Sequence, residues 1–200
     1  VPITFSLGLK LGGAVLEGNV LEKYDQSRVN KFNVILIWLF STILTIEGFV
    51  TSGALYGFRV FLLTYAAFFA AFLVFLLNRK KILPLTATGI LICLAPVFAG
   101  IILTVIKGGQ SSTRIFMVLM APPAMVALYF REKMLITFNF LLNAVIVLAY
   151  ILFPVGLLGS NPSVNELLAR LVIINCGTIV VYFLTKWGNE YIQFAVDKER

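Results

Sequence analysis

Two charged residues lie inside long apolar stretches of the sequence, and they are the first candidates for chemistry. Glu47 and Arg59 stand on either side of the short turn TSGAL. With a helical rise of about 1.5 Å per residue, we expect both side chains at a similar depth of about 6–9 Å. Charges at such depth are costly and are usually paired or functional. The pattern predicts either an ion pair that locks a helical hairpin or one wall of an outward-facing ligand pocket, in which Arg59 and Arg114 offer positive charge to an anion.

Three asparagines form the second group of candidates. Asn139 and Asn143 are four residues apart, so they share one face of a helix, and Asn175 lies in the middle of another apolar stretch. Side-chain amides in lipid usually bond to a neighbouring helix. The sequence leaves two alternatives open, which are packing between helices and contact with a ligand.

Three prolines interrupt the apolar stretches at Pro96, Pro122 and Pro123. Each proline removes a backbone donor and bends a helix, which favours a hinge or a gap in a bundle. Membrane helices also tolerate proline widely, so a purely structural role stays open.

Several kinds of chemistry have no residues to support them. The chain has no histidine, which argues against a bis-histidine haem, a histidine metal site and a serine–histidine dyad. Cys93 and Cys176 both lie in apolar stretches and fit buried thiols. The sequence contains no phosphate-binding loop, metal-ligand spacing or nucleophile–base pattern. We therefore expect no enzyme activity, no metal and no cofactor.

The composition sets the environment of these residues. Apolar residues make up 60% of the 200 residues, and only 12% are charged, against about a quarter in a soluble domain. With a mean hydropathy of +0.98, this is the composition of an integral membrane protein whose partner is the lipid bilayer of a cell. In a membrane protein, Lys and Arg mark the cytoplasmic side, so the net charge of +7 does not indicate binding to nucleic acid.

Six stretches reach the roughly 20 apolar residues that a membrane span needs. They predict an all-α, polytopic helical bundle with spans at Asn33–Gly53, Leu55–Leu77, Ile82–Ile106, Ser112–Phe130, Met134–Leu157 and Glu166–Thr185. With both ends inside the cell, twelve of the 16 Lys and Arg residues lie on the cytoplasmic side. That excess favours an N-in, C-in orientation.

The spans divide the chain into three parts. Residues 1–32 are predicted to be a cytoplasmic segment that could lie on the membrane as an interfacial helix. Residues 33–185 form the six-span bundle. Residues 186–200 carry Trp187, Tyr191 and Phe194 at heptad spacing, continuous with the last span, which predicts the start of a cytoplasmic output helix. An interfacial amphipathic helix would have a similar pattern.

The layout resembles the six-span module at the front of some bacterial signalling proteins. It is most similar to methyl-accepting chemotaxis proteins that lack an extracellular domain. The resemblance rests on the six closely joined spans, on the stretch VALYFREKMLITFNFLLNAVIVLAY and on the last span that runs directly into KWGNEYIQFAVDKER. It implies a transmembrane sensor for a membrane or small-ligand signal, coupled through the sixth span, and a homodimer through the output helix. It carries over no site residues.

Two other functions stay open. A small transporter, channel or transport-complex subunit requires polar residues along a path through the midplane. A membrane enzyme that acts on lipid is the least favoured, because a catalytic set is missing from the sequence.

Overall fold

The computed structural model of the chain describes residues 4–107 and 118–198, with side chains for 26–107, 118–191 and Phe194. Every regular element in these ranges is an α-helix. The helices are α1 (Thr4–Ser52), α2 (Ala54–Arg79), α3 (Leu85–Ile106), α4 (Ala121–Ala127), α5 (Glu132–Leu152), α6 (Pro154–Leu158) and α7 (Val164–Lys198).

Five helices are long and apolar enough to cross a membrane, which confirms the all-helical architecture and supports a multi-pass membrane protein. These spans are Gln26–Ser52 in α1, the whole of α2, α3 and α5, and Val164–Tyr191 in α7. Helix α1 continues without a break through the predicted start of the first span at Asn33, so no helix end marks that boundary. The placement of residues 1–32 on the membrane surface stays a prediction.

Two predicted spans differ from the helices that form. The predicted end of the fifth span at Leu157 is wrong, since α5 ends at Leu152 and a short new helix starts at Pro154. A proline disfavours helical backbone in the residue before it, and Phe153 takes a non-helical conformation with φ of −139° and ψ of 60°.

The predicted fourth span, Ser112–Phe130, contains only the short helix α4 among the described residues. The chain turns at Leu119 and Met120, and Pro122 and Pro123 then occupy the first turn of α4. They do not lie in the middle of a helix as predicted. A proline at the first helical positions costs no hydrogen bond, because those backbone N–H groups have no intrahelical partner.

Helices α1 and α2 form a tight hairpin around Gly53, whose φ of 81° suits glycine. Close approach depends on a second glycine, since a Cβ at Gly57 would lie 2.5 Å from the ring of Phe49. Side chains also link the two helices, because the Ser41 hydroxyl donates to the carbonyl oxygen of Thr64 at 3.0 Å.

Helix α3 forms the centre of the bundle. Half of the most apolar stretch of α3 is buried, against 17–28% of the corresponding stretches in the other four spans. It packs against α1, α2, α4, α5 and α6. Its own Ile92 and Val97 are fully buried, as are Phe138 and Leu142 of α5. Helix α3 is therefore the element against which the others are positioned.

Contacts at glycines show the directions of the helices. Met134 and Tyr129 fill the space beside Gly89 near the start of α3, and Val105 near its end packs on Gly156. Helices α3 and α5 therefore run parallel.

Helix α7 runs in the opposite direction to α5. Its Tyr182 hydroxyl donates to Glu132 Oε2 at 2.8 Å, at the start of α5. Further along α7, Phe130 packs on Gly188. The end of the bundle that contains Tyr129 and Gly188 is called the basic end here, because the Arg79–Lys81 turn and Arg131 lie at it.

Candidate functional site

A cavity of about 430 Å³ lies between α1, α2, α3 and the segment 118–125. It extends from the end of the bundle opposite the basic end, at Thr51 and Lys107, to Ile37 and Met125 in the interior. Ligand pockets in proteins are typically about 300–1,000 Å³. The cavity is therefore large enough for a small organic molecule.

Several side chains that line the cavity are small, and a proline lies within one of its helices. The lining residues include Ala67 on α2, Ala99 and Gly100 on α3, and Ala121 on α4. Pro96 also lines the cavity, within α3. Small side chains at facing positions leave volume that larger ones would fill.

The walls of the cavity are apolar in effect. Ser41 and Thr64 line it, but the Thr64 hydroxyl donates to the carbonyl oxygen of Val60 at 2.8 Å, and Ser41 bonds to the Thr64 carbonyl. Since both hydroxyl protons are used within the protein, the interior offers a ligand mainly hydrocarbon contact.

Polar groups concentrate at the mouth of the cavity, which consists of Glu47, Thr51, Tyr56 and Lys107. The Lys107 ammonium lies 4.4 Å from the centroid of the Tyr56 ring, a cation–π contact. The Thr51 hydroxyl donates to the Glu47 carbonyl oxygen at 2.7 Å, so both residues lie on one face of α1. Among the described residues, the mouth thus carries Glu47 and Lys107, which have opposite charges and lie on different helices.

The charged residues predicted from the sequence are only partly in this site. Glu47 lines the mouth, whereas Arg59 is exposed and is not among the residues that line the cavity. The face of α2 toward the bundle carries Gly57 and Val60. Arg59 falls between them in sequence, and the rotation of about 100° per residue directs it elsewhere. Arg114 lies outside the described residues.

The predicted hinge residues lie at the cavity wall. Pro96 and Pro122 line the cavity, and Pro123 is buried beside them in α4. A hinge motion at these residues stays a prediction.

The three predicted asparagines come together between α5 and α7, away from the cavity. Asn139 Nδ2 donates to Asn175 Oδ1 at 2.8 Å. Asn175 Nδ2 donates in turn to Asn143 Oδ1 at 2.9 Å. Each amide is partly buried. The three amides thus join two helices by hydrogen bonds and do not line the cavity, while contact with a ligand stays a prediction.

Sequence reasoning missed a buried polar cluster at the basic end. The Tyr129 hydroxyl donates to Asn30 Oδ1 at 2.5 Å, and Asn33 Nδ2 donates to that hydroxyl at 3.2 Å. Asn33 also donates to the Met125 carbonyl oxygen at 3.2 Å. Both asparagines are fully buried. Their spacing of three residues in a helix was the signal, but Tyr129 could not be assigned to them from spacing alone.

Arg131 extends this cluster. Its Nη1 donates to Thr86 Oγ1 at 3.3 Å at the start of α3. With the Gln26 amide oriented to match its neighbours, the amide oxygen accepts from Arg131 Nε at 2.6 Å. The loop before α5 is therefore bonded to both α1 and α3.

The last helix crosses the predicted boundary between bundle and output segment. Helix α7 is continuous from Val164 to Lys198, and Gly188 does not interrupt it. Trp187, Tyr191 and Phe194 are 59%, 77% and 67% exposed, so the described part of the chain leaves most of each aromatic side chain uncovered.

Within the described residues, no group of three or more His, Cys, Asp and Glu side chains lies close enough to hold a metal ion. The site is thus an apolar cavity with a charged mouth, beside a segment that contacts the last helix. No family model, curated protein or solved structure matches the chain.

Proposed function

We propose that the chain is the transmembrane sensor of a chemoreceptor-like bacterial signalling protein, in which a molecule in the cavity changes the position of α7. The observation that carries the proposal is the segment from Val118 to Arg131. One side of it lines the cavity through Ala121 and Met125. Its other side faces α7, where Met120 contacts Gly177.

The contact at the basic end of α7 supports the same coupling. A Cβ at Gly188 would lie 2.5 Å from Phe130 Cε1, so the ring packs directly on the helix backbone. The Tyr129 hydroxyl next to it is bonded to α1. A displacement of the segment by a ligand therefore reaches α7 through packed atoms and not through a flexible loop. Two packings close in free energy are what a sensor requires.

The length of α7 allows the change to leave the membrane. Its 35 residues span about 52 Å, and the hydrocarbon core is about 30 Å thick. About 20 Å of continuous helix therefore projects beyond the bilayer. A rigid helix transmits a shift or rotation over that distance, because its backbone hydrogen bonds resist bending.

The proposal includes six membrane crossings, with the chain entering the first span and leaving the last span on the cytoplasmic side. Since α3 and α5 run parallel, the chain between Lys107 and Arg131 has to return across the bilayer although α4 is short. The first span contacts Tyr129 through Asn30, and the last contacts Phe130 through Gly188. The first span therefore begins, and the last span ends, at the basic end.

The charge at that side supports the cytoplasmic assignment. The basic residues of the described basic end are Arg28, Lys31, Arg79, Lys80, Lys81, Arg131, Lys133 and Lys186. Short cytoplasmic loops of membrane proteins carry such an excess of Lys and Arg.

A homodimer through the output helix completes the proposal. The exposed Trp187, Tyr191 and Phe194 repeat at steps of four and three residues, which is the seam of a two-stranded coiled coil. Gly188, which contacts Phe130, lies about 60° from Tyr191, 100° from Trp187 and 120° from Phe194 around the helix. The bundle contact therefore lies to one side of the seam.

Spin labels test the sensor directly. We would place a nitroxide at Asn189→Cys, on the side of α7 away from the seam, in a Cys176→Ala background, reconstitute the protein in nanodiscs, and measure the distance between two copies. Cys93 stays unlabelled because it is fully buried. The cavity-filling variant Ala121→Leu should shift the distance distribution.

The matched control is Ala124→Leu, which adds the same atoms to the exposed face of α4. It should leave the distribution unchanged. Identical distance distributions for the parent and Ala121→Leu would overturn the coupling. The absence of a measurable spin–spin distance between two copies would overturn the dimer.

A transporter or channel is the second candidate, and one observation favours it. The cavity ends at Met125, and the Met125 carbonyl oxygen is bonded to the buried cluster of Asn33, Tyr129 and Asn30. Cavity and cluster thus lie in series between the two ends of the bundle. Proton or K⁺ flux into liposomes that Ala121→Leu abolishes and Ala124→Leu preserves would replace the sensor with a transporter.

A further inference from the structure

We propose that Tyr129 and Phe130 form a strained latch with two states. In the docked state, which the structure describes, the latch contacts α1 and α7. In the released state it contacts neither helix. The proposal rests on the proposed function only in taking the segment 118–131 as the link between the cavity and α7.

The hydrogen bonds between the latch and α1 leave two buried atoms over. Asn33 Nδ2 donates to the Met125 carbonyl oxygen at 3.2 Å, and the orientation of this amide is fixed because a carbonyl can only accept. Tyr129 Oη lies 2.5 Å from Asn30 Oδ1, which is too short for the usual N–H···O bond and suits an O–H···O bond. Asn30 Nδ2 and Asn33 Oδ1 remain, and neither has a partner in the described part of the chain.

Water does not reach these two atoms in the docked state, because Asn30 and Asn33 are both 0% exposed. A buried donor or acceptor without a partner carries its full desolvation penalty, which opposes docking by about fivefold to a hundredfold for each atom. Release exposes both amides to water at the basic end and removes that penalty.

The backbone of the latch is strained as well. Phe130 has a φ of 51°, which lies in the left-handed region that helix ends usually fill with Gly or Asn. A residue with a Cβ disfavours this conformation by about fivefold to thirtyfold. Because release allows Phe130 to return to a negative φ, the backbone strain also favours the released state.

Packing opposes this strain and holds the latch in the docked state. A Cβ at Gly188 would lie 2.5 Å from Phe130 Cε1, so the ring rests on the backbone of α7, and Tyr129 is buried. The residue that bears the backbone strain therefore also makes the contact with α7. Opposed contributions of this kind keep two packings close in free energy, and a molecule in the cavity beside Met125 shifts the balance between them.

Hydrogen–deuterium exchange of the backbone amides of residues 129 and 130 measures release in nanodiscs, after correction for the intrinsic exchange rate of each sequence. In the docked state these amides donate to the carbonyl oxygens of Val126 and Ala127 at 3.1 and 2.9 Å. Phe130→Ala, Phe130→Asn and Phe130→Gly all remove the ring, so the differences among them report the backbone alone. Exchange should be fastest in Phe130→Ala, intermediate in Phe130→Asn, and about threefold to tenfold slower in Phe130→Gly than in Phe130→Ala.

Leu128 provides the matched control, because its φ of −61° is that of an ordinary helix. At this position Leu128→Gly should exchange about fivefold faster than Leu128→Ala, which is the reverse order. Faster exchange for glycine than for alanine at both positions would overturn the proposal.

A second arm tests the two unpaired amide atoms. Tyr129→Phe should speed exchange by about fivefold or more, because Asn30 Oδ1 loses its donor while it stays buried. The double variant Asn30→Leu with Tyr129→Phe removes this pair together with the unpaired Asn30 Nδ2, so its exchange should be no faster than that of the parent. Exchange as fast in the double variant as in Tyr129→Phe would overturn the proposal, since the polar cluster would then be a purely stabilising contact.

Slow exchange of the α3 amides checks that the bundle of each variant is folded. The two arms change different residues, so a variant that fails to fold in one arm leaves the other decisive. The spin labels at position 189 separate the latch from the sensor. The expected exchange rates without an effect of Ala121→Leu on the distances contradict the sensor but not the latch. A shift of the distances with the wrong order of exchange contradicts the latch alone.

Discussion

At the residue scale, the Tyr129 hydroxyl connects α1 to the segment that lines the cavity. It donates to Asn30 and accepts from Asn33, and all three side chains are buried. The low dielectric of such a site strengthens each hydrogen bond and raises the cost of a missing partner. The basic end of the first span is therefore held by polar chemistry and not by apolar packing alone.

Removal of this hydroxyl is the first prediction for stability. Tyr129→Phe should lower the free energy of unfolding by about 1–3 kcal/mol, because Asn30 Oδ1 loses its donor while it stays buried. The measurement is reversible unfolding in mixed micelles. Tyr191→Phe makes the same chemical change at a side chain that is 77% exposed, and it should cost less than about 0.5 kcal/mol. Equal losses in both variants would contradict the assigned role.

At the element scale, α7 is a single helix that forms part of the bundle and continues into the predicted output segment, which begins at residue 186. Its contact with Phe130 at Gly188 is close, and glycine is what permits it. In an isolated helix, alanine would be favoured over glycine by about 1 kcal/mol. The contact therefore offsets a loss of helix propensity, which points to a need for close approach at this position.

A double-mutant cycle measures that contact. Gly188→Ala should destabilise the parent, because the new Cβ overlaps the Phe130 ring, and should stabilise a Phe130→Ala background, where the ring is gone. The interaction free energy between the two positions should be about 0.5–3 kcal/mol. Glu190→Ala is the control on an exposed part of the same helix, and its effect should be additive with Phe130→Ala. Additivity for Gly188 as well would show that the two residues do not contact each other.

At the scale of the whole molecule, the directions of the helices determine which loops share a side. Cysteine accessibility checks the proposed topology in a Cys176→Ala background with a membrane-impermeant maleimide. Ser52→Cys and Ser160→Cys should react from outside intact cells, while Lys80→Cys and Glu190→Cys should react only after permeabilisation. Labelling of position 190 together with position 160 would rule out an even number of crossings.

Part of this architecture was predictable from composition and apolar length. Helices α2 and α3 lie close to their predicted bounds because each is a long apolar run between polar turns. The end of α5 was missed because Pro154 lies in an otherwise apolar run, and hydropathy does not register the backbone effect of proline. The fourth span was predicted from apolar length in the same way. Hydropathy did not show that a short helix would begin at Ala121, just before two adjacent prolines.

The candidate site was less predictable. Glu47 was identified by its depth, but its neighbours at the mouth are Tyr56 and Lys107, and Arg59 points elsewhere. The depth of a residue follows from its position in the span. Its neighbour across the interface depends on the rotation of each helix about its axis, which a nearly uniform apolar sequence does not encode.

The amino-acid sequence by itself determined that this protein is helical, apolar enough for the membrane and most basic at one end of its spans, because these properties depend on residue type and run length. Only the tertiary structure decided that α3 and α5 run parallel, that small residues on α2, α3 and α4 line a common cavity, and that Tyr129 joins Asn30 and Asn33. Each of these depends on how separate helices are rotated and paired. Within lipid, packing and hydrogen bonds between helices set that arrangement, since apolar side chains are as well solvated by lipid as by one another.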